Sequence, residues 1–139
     1  MNSDPVLVEH PDRWVVSVKG AAVSRCSFDW AVTWVIATEN GDVEIRAEQP
    51  FLFGDRNPVH LVPEGDPVQL APVLSTVRDS VVRIEAFASG RLELEFGAGA
   101  IATVEPSEEF EAWTLAGPGG LKLVSTPGGG VTAWSSAPS

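Results

Sequence analysis

Between Leu92 and Phe96 apolar and acidic residues alternate strictly, and this pattern constrains the fold more than any other feature of the sequence. In the segment LELEF the three apolar side chains share one face of an extended strand, while Glu93 and Glu95 share the other. The glycines of the following sequence, GAGA, permit a tight turn, and Ile101–Val104 carries the chain back. The pattern predicts a β-hairpin with one core face and one solvent face.

The same arrangement occurs 58 residues earlier in the chain, where Val23 aligns with Val81 and Trp34 with Leu92. Residues 22–28 and 81–87 are candidate lead-in strands, and each precedes a hairpin. A three-stranded meander cannot bury its apolar face alone. We therefore expect a mainly β protein with an internal duplication, in which two tandem antiparallel meanders form a sandwich or a partly open barrel.

Length and composition indicate one β-rich domain over residues 1–139, with loose ends at 1–12 and 135–139. Hydrophobic residues make up 44% of the chain, which is typical of globular rather than disordered proteins. A single cysteine, Cys26, excludes an internal disulfide, and neither a secretory signal nor a membrane-length apolar run is visible. These features predict a cytoplasmic protein that does not bind a membrane.

Acidic residues outnumber basic residues by nineteen to nine, and the formal net charge is −10. Such a protein repels phosphate backbones, so nucleic acid is not expected as a partner. No Lys or Arg lies between Arg91 and Lys122. We take five glutamates of this stretch as candidate partner-binding residues: Glu93, Glu95, Glu108, Glu109 and Glu111. They form either a solvated face that protects strand edges or a docking face for a basic protein.

Three other segments carry structural predictions. Residues 30–36, WAVTWVI, are apolar on both faces, which predicts a central strand with Trp30 and Trp34 in the core. Residues 51–65 are punctuated by Gly and Pro and are expected to form a long irregular loop. Asp66 followed by Pro67 is a helix-start signal, so a short helix is expected over 67–75.

Histidine and cysteine, which often carry catalysis or bind zinc, are scarce. His10 and His60 are the only histidines, so a zinc site would need both of them, Cys26 and a carboxylate. No G-x-S-x-G sequence marks a nucleophile that His60 could activate, and the glycine-rich segments lack the Lys-Ser or Lys-Thr pair of a phosphate-binding loop. We therefore predict no enzymatic activity, no cofactor and no metal.

The carboxy-terminal third carries a recognisable series of short motifs. EEFEAWTLAGPGGLKLVSTPGGGVTAW, residues 108–134, together with the upstream RLELEFGAGAIATV, resembles a family of small actinobacterial proteins that carry a domain of unknown function. In that family an aromatic-Glu-Ala-Trp run is similarly followed by a Gly-Pro-Gly turn, a Pro-Gly-Gly turn and a closing Trp; Phe110 takes the first aromatic place here. The resemblance implies a β-rich fold and implies no activity.

Two functional hypotheses follow. The favoured one is a non-enzymatic protein-binding module, in its concrete form an immunity protein that neutralises a basic toxin, because an acidic surface speeds and orients association with a basic active site. The alternative is a small-molecule-binding barrel or sandwich in which Trp30, Trp34 and Trp113 line a cavity.

Overall fold

The computed structural model describes residues 6–134, which form two antiparallel β-sheets. The strands in chain order are β1 (Leu7–Glu9), β2 (Arg13–Val16), β3 (Ala22–Phe28), β4 (Val32–Thr38), β5 (Gly41–Ala47), β6 (Phe51–Gly54), β7 (Val59–Leu61), β8 (Val81–Phe87), β9 (Leu92–Phe96), β10 (Ile101–Val104), β11 (Trp113–Ala116), β12 (Lys122–Ser125) and β13 (Val131–Trp134). A 3₁₀ helix (Pro67–Thr76) precedes β8, and a 3₁₀ turn (Pro118–Gly120) precedes β12.

The seven-stranded sheet has the order β1-β2-β8-β9-β10-β6-β7, and the six-stranded sheet has the order β13-β12-β11-β5-β4-β3. Apolar side chains from both sheets meet in one buried core. This confirms the predicted mainly β fold, and of the two predicted forms it is sandwich-like rather than a closed barrel.

Each sheet is built around one of the predicted meanders. β3, β4 and β5 are neighbours in the six-stranded sheet, and β8, β9 and β10 are neighbours in the seven-stranded sheet. The strand that follows each meander crosses to the opposite sheet, so that β6 pairs with β10 and β11 pairs with β5. The two halves therefore share one strand order, as expected for an internal duplication, and exchange their following strands.

The two meanders also meet in a symmetric way. The Val23 N–H donates to the Asp79 carbonyl at 2.9 Å, and the Val81 N–H donates to the Ala21 carbonyl at 3.0 Å. Val81 lies 58 positions after Val23, and Asp79 lies 58 positions after Ala21, so each hydrogen bond is the counterpart of the other. Such a reciprocal pair is the pattern of a two-fold axis, here relating two parts of one chain.

The constant offset of 58 residues is correct for the first strand of each meander and wrong beyond it. A register shift lies after Val23 in β3 and after Val81 in β8, so these strands correspond as predicted. However, Arg25 pairs with Val35 whereas its counterpart Arg83 pairs with Glu95, two positions further along. Trp34 therefore corresponds structurally to Leu94 and not to Leu92, because the connection between β8 and β9 is longer than that between β3 and β4.

Trp34 joins three parts of the fold, and its predicted burial is confirmed at 0% exposure. Its ring lies 5.7 Å from that of Phe51 and 6.0 Å from that of Phe96, centroid to centroid, and both partners belong to the opposite sheet. The indole N–H donates to the Thr76 hydroxyl at 3.2 Å, at the end of the 3₁₀ helix. One side chain thus packs the two sheets together and fixes the helix against them.

The predicted helix over 67–75 is confirmed as the 3₁₀ helix. The Asp66 carboxylate accepts a hydrogen bond from the Val68 N–H at 3.0 Å, and a proline occupies the first helical position, as the sequence indicates. The buried residues Leu70, Val73 and Thr76 recur every third position. That spacing matches the three residues per turn of a 3₁₀ helix, which presents this one face to the core.

Three of the sequence predictions are corrected. Residues 51–65 do not form an irregular loop, because β6 and β7 pair as a hairpin. Phe51 and Phe53 of this hairpin enter the core. The glycine and proline residues that suggested a loop lie near the ends of the two strands. Part of the predicted loose end at 1–12 is the edge strand β1, paired with β2. Trp30 precedes β4 and is exposed, not buried. The remaining predicted loose ends, 1–5 and 135–139, lie outside the described residues.

Candidate functional site

Glu93 and Glu95 lie on the outer face of the seven-stranded sheet, where they surround one arginine. The Arg83 Nη1 donates to Glu93 Oε1 at 2.8 Å, and its Nε donates to Glu95 Oε1 at 2.9 Å. Glu85 Oε1 lies 3.3 Å from the same Nη1. The Arg91 guanidinium, beside them, contacts Glu93 at 3.4 Å. These carboxylates therefore belong to a network within the sheet.

Each carboxylate of this network lies beside a guanidinium. Partial burial acts to lower the pKa of Arg83, but hydrogen bonds to Glu93 and Glu95 and the charges of Glu93 and Glu85 outweigh it, so the pKa is raised. The side chains of Glu93 and Glu95 are 19% and 34% exposed. The predicted exposure of this pair is wrong, because Arg83, which lies outside the acidic stretch in sequence, covers them from the neighbouring strand.

Glu108, Glu109 and Glu111 occupy a different place, the segment between β10 and β11. We call residues 105–112 the acidic loop. All three side chains belong to exposed residues, and among residues 6–134 none of them forms an ion pair. Phe110, between them in sequence, is 45% exposed. The structure thus separates the five predicted glutamates into a neutralised pair on the sheet and an unpaired trio in a loop.

Hydrogen bonds hold the acidic loop along its length. The Gln49 amide donates to the carbonyls of Glu105 and Pro106, and the Gly128 N–H of the β12–β13 turn donates to the Ser107 carbonyl at 2.8 Å. The Ser107 hydroxyl accepts from the Glu109 N–H at 3.1 Å, which fixes the turn that carries the carboxylates. The loop is therefore braced from two neighbouring segments, and its backbone needs little ordering on binding.

The second exposed feature is the turn between β3 and β4, residues 29–31, which we call the Trp30 turn. Trp30 is 77% exposed, and its backbone lies in the left-handed region with φ of 75°. That conformation is strained for a residue with a large side chain, and strained residues are concentrated at functional sites. The turn is also unusual in exposing the largest apolar side chain of the chain rather than a small polar one.

A signal for this exposure was present in the sequence. Strands over 22–28 and 30–36 would leave Asp29 alone to connect them, whereas antiparallel neighbours need a turn of at least about two residues. The observed strands leave three residues, Asp29, Trp30 and Ala31, for the turn. In the sequence, the apolar alternation of the strand extends back through these turn residues. The pattern therefore assigned Trp30 to the same face as Trp34, which is why its burial was predicted.

Beside Trp30 lies an open pocket of about 250 Å³. Its walls are mostly apolar and come from the end of β3, the Trp30 turn and the start of the 3₁₀ helix: Phe28, Trp30, Pro63, Pro67 and Leu70, with Asp29 and Gly65. We call it the Trp30 pocket. Val62 and Val68, each next in sequence to a lining proline, are themselves 46% and 72% exposed. The pocket therefore lies within a wider exposed apolar surface.

The Trp30 turn and the acidic loop lie at the same end of the six-stranded sheet. Val32, which follows the turn, and Trp113, which follows the loop, both pair with Ala47. Their strands, β4 and β11, are therefore separated only by β5, a distance of about 10 Å. Polar contacts link the two features: Arg46 Nη1 donates to Asp29 Oδ1 at 3.0 Å, and the Glu48 N–H donates to the carbonyl of Ala112 at 2.8 Å.

Within residues 6–134, no cavity is lined by all three tryptophans of the small-molecule hypothesis. Trp34 and Trp113 are both fully buried, and the Trp113 indole N–H donates to the Gly90 carbonyl at 2.8 Å. Only Trp30 lines the pocket. Large aromatic side chains with satisfied indole groups act here as core, so a ligand-binding role would depend on Trp30 alone.

The remaining candidate residues are dispersed. His60 lies in the edge strand β7, opposite Leu52. Cys26 is half-buried beside the Thr76 hydroxyl at 3.5 Å; burial raises the pKa of its thiol, and the hydrogen bond to Thr76 opposes this. Residues 6–134 contain no group of three or more His, Cys, Asp or Glu residues arranged to hold a metal ion. Over the same residues there is no helix of the length and apolarity needed to span a bilayer.

Comparison with known proteins gives one match. Residues 14–135 match the family described as "Family of unknown function (DUF6188)", and this range includes the Trp30 turn and the acidic loop. No curated protein and no solved structure matches the chain.

Proposed function

The chain belongs to the DUF6188 family of unknown function, and we propose that it is a non-enzymatic protein-binding module whose interface is the end of the sandwich that carries the Trp30 turn and the acidic loop. The observation that supports this is the juxtaposition itself. The strand that follows the strained, exposed Trp30 and its apolar pocket lies about two strand spacings from the strand that follows the acidic loop, in which Glu108, Glu109 and Glu111 form no ion pair among residues 6–134.

This arrangement has the composition of a protein interface. Interfaces combine an apolar, aromatic centre with a polar rim, and Trp is among the residues that contribute most to binding when they become buried. Trp30 and Phe110 supply exposed aromatic surface, and the carboxylates of the acidic loop supply the rim. Because hydrogen bonds already hold the loop, the entropy cost of fixing it in a complex is small.

The charge of this end of the molecule favours a basic partner. The protein carries a formal net charge of −10, and Glu108, Glu109 and Glu111 have no cation beside them among residues 6–134. An unscreened acidic patch raises the association rate with a basic protein and orients it on approach. We propose an immunity protein that neutralises a basic toxin in the cytoplasm as the concrete form of this function.

The test begins with the basic proteins encoded beside the gene of this chain. Each is expressed with and without the protein, and we expect one of them to arrest growth alone and to form a purified complex when both are present. In that complex, the triple variant Glu108→Lys, Glu109→Lys, Glu111→Lys is expected to associate about tenfold or more slowly than the wild type at low salt. Dissociation should change less, and the difference should shrink as salt is added.

A matched control separates a local effect from a general one. Glu9, Asp42 and Asp55 belong to exposed residues outside the proposed interface, and reversing them to lysine changes the net charge by the same amount. If this control variant lost as much association rate as the acidic-loop variant, the interface would not lie at the acidic loop. If no basic neighbour bound the protein, the toxin-neutralising function would be rejected.

The family match also supports a narrower proposal about sequence. We propose that the EAW…GPGG…PGGG…W series is shared across the family, and that its members are actinobacterial. Its structural reason lies in the turns: Gly119, Gly128, Gly129 and Gly130 all have positive φ, a conformation that glycine adopts without strain. Comparison of the family's sequences at these positions tests the proposal directly.

A further inference from the structure

We propose that the Trp30 pocket receives the side chain of an arginine. This inference rests on the proposed function, because a basic protein partner supplies the arginine. It adds the identity of the contact at the centre of the interface, and it can be tested without the partner.

The size of the pocket favours a single side chain. Its volume of about 250 Å³ lies below the range of about 300–1,000 Å³ that is usual for pockets of small-molecule ligands. The exposed apolar side chains around it, Val62 and Val68, would contact the surroundings of such a side chain and exclude water from it. A protruding side chain of a protein surface fits both the pocket and its surround.

The walls favour a cation with an apolar stem. Trp30 and Phe28 supply aromatic rings, and Pro63, Pro67 and Leu70 supply the apolar wall against which methylene groups can pack. Positive groups bind to the faces of aromatic rings, and to tryptophan most strongly. Arginine suits such a site better than lysine, since its planar guanidinium stacks on an indole and is more weakly hydrated.

One carboxylate lines the pocket, and two more belong to residues next in sequence to its lining residues. Asp29 lines the pocket, and its side chain remains 63% exposed. Arg46 Nη1 lies 3.0 Å and 3.4 Å from the two carboxylate oxygens of Asp29, but a carboxylate can accept further hydrogen bonds. Glu64 and Asp66, each next in sequence to lining residues, belong to exposed positions. At the pocket and next to it in sequence, the three acidic residues Asp29, Glu64 and Asp66 outnumber the one guanidinium of Arg46, so this part of the chain is negative and complementary to an incoming cation.

The experiment compares two short peptides that differ only in charge. The indole N–H signals of the ¹⁵N-labelled full chain are followed by NMR while Ac-Gly-Arg-Gly-NH₂ is added to about 10 mM, tenfold above a millimolar Kd. The matched peptide carries citrulline, which has the shape of arginine without its charge. The Trp30 signal is assigned by its loss in the Trp30→Ala variant, whose other indole signals report whether the fold is intact.

We expect the arginine peptide to shift the Trp30 signal in a saturable way and the citrulline peptide to shift it by less than a quarter as much. The Asp29→Asn variant should bind the arginine peptide several-fold more weakly. Equal shifts with both peptides would mean an apolar pocket without preference for a cation and would overturn the proposal. No shift of the Trp30 signal, or shifts only of the other indole signals, would also overturn it.

The two proposals fail in distinguishable ways. If the arginine peptide binds but no basic neighbour does, the pocket assignment stands and the toxin-neutralising function falls. If a basic neighbour binds and the peptide leaves Trp30 unchanged, the function stands and the arginine assignment falls.

Discussion

Replacing Trp34 by alanine is expected to lower the free energy of unfolding by about 3–5 kcal/mol. The indole is fully buried, and an aromatic side chain of its kind removes about 150–250 Å² from water, worth at most about 4–6 kcal/mol at ~25 cal/mol/Å². The contacts with Phe51 and Phe96 are lost as well. Thr76 still donates to the Val73 carbonyl at 2.7 Å, so the change leaves that hydroxyl hydrogen-bonded.

Urea denaturation followed by circular dichroism measures this loss, with the slope of the transition as a check that both states remain comparable. Trp34→Phe keeps a ring between the sheets and deletes the bond to Thr76, so it should cost only about 1–2 kcal/mol. Trp134→Ala is the control, because Trp134 is 51% exposed. A loss below about 1 kcal/mol for Trp34→Ala would refute the role of this residue as the junction of the two sheets.

Three further predictions concern groups outside the core. Arg83→Met should lower the free energy of unfolding by about 2 kcal/mol in urea melts, because it leaves three partly buried carboxylates together without their guanidinium. The cost is smaller than for a fully buried ion pair because these side chains keep contact with solvent. A loss no larger than that of the exposed Arg25→Met would contradict this. Trp30→Gly should be more stable than Trp30→Ala by about 1 kcal/mol, because only glycine adopts the positive φ without strain. Both variants should lose binding. Equal stabilities would show that the turn relaxes in the alanine variant. The folded Cys26 thiol, whose pKa is raised, holds its proton to higher pH than the unfolded thiol, so the free energy of unfolding should fall as the pH rises above about 8.5. Cys26→Ala should remove this decline, and a decline that persists in that variant would assign it to another group.

Predictions that depend on neighbouring residues in sequence were accurate. The alternation in LELEF predicts β9 and its buried face, and Leu92, Leu94 and Phe96 are buried as expected. Asp66 caps the helix it precedes, and the glycine-rich segments are turns. The lead-in strands 22–28 and 81–87 are observed with their predicted bounds. In each case side-chain spacing or turn chemistry acts within a few residues, so the sequence carries the information directly.

The candidate site was predicted less well, because its properties arise from pairing between distant strands. Glu93 and Glu95 were expected to be free, but the register of β8 against β9 places Arg83 opposite Glu95 and beside Glu93. Only Glu108, Glu109 and Glu111 keep the exposure expected of a docking face. The exposure of Trp30 was missed, since apolar alternation alone cannot distinguish the residues of a turn from the strand that follows them.

The sequence by itself determined most of the segments that become strands, which of their faces are apolar and which strands are neighbours within each meander, because these depend on local spacing and on the conformations that Gly, Pro and Asp permit. Only the tertiary structure decided how the strands outside the meanders pair with them. The crossing of β6 to β10 and of β11 to β5 brings the Trp30 turn and the acidic loop to one end of the molecule, although they are far apart in the chain. The physical reason is that two apolar sheet faces must cover each other, and the exchange of strands that achieves this burial also sets the distances between surface groups.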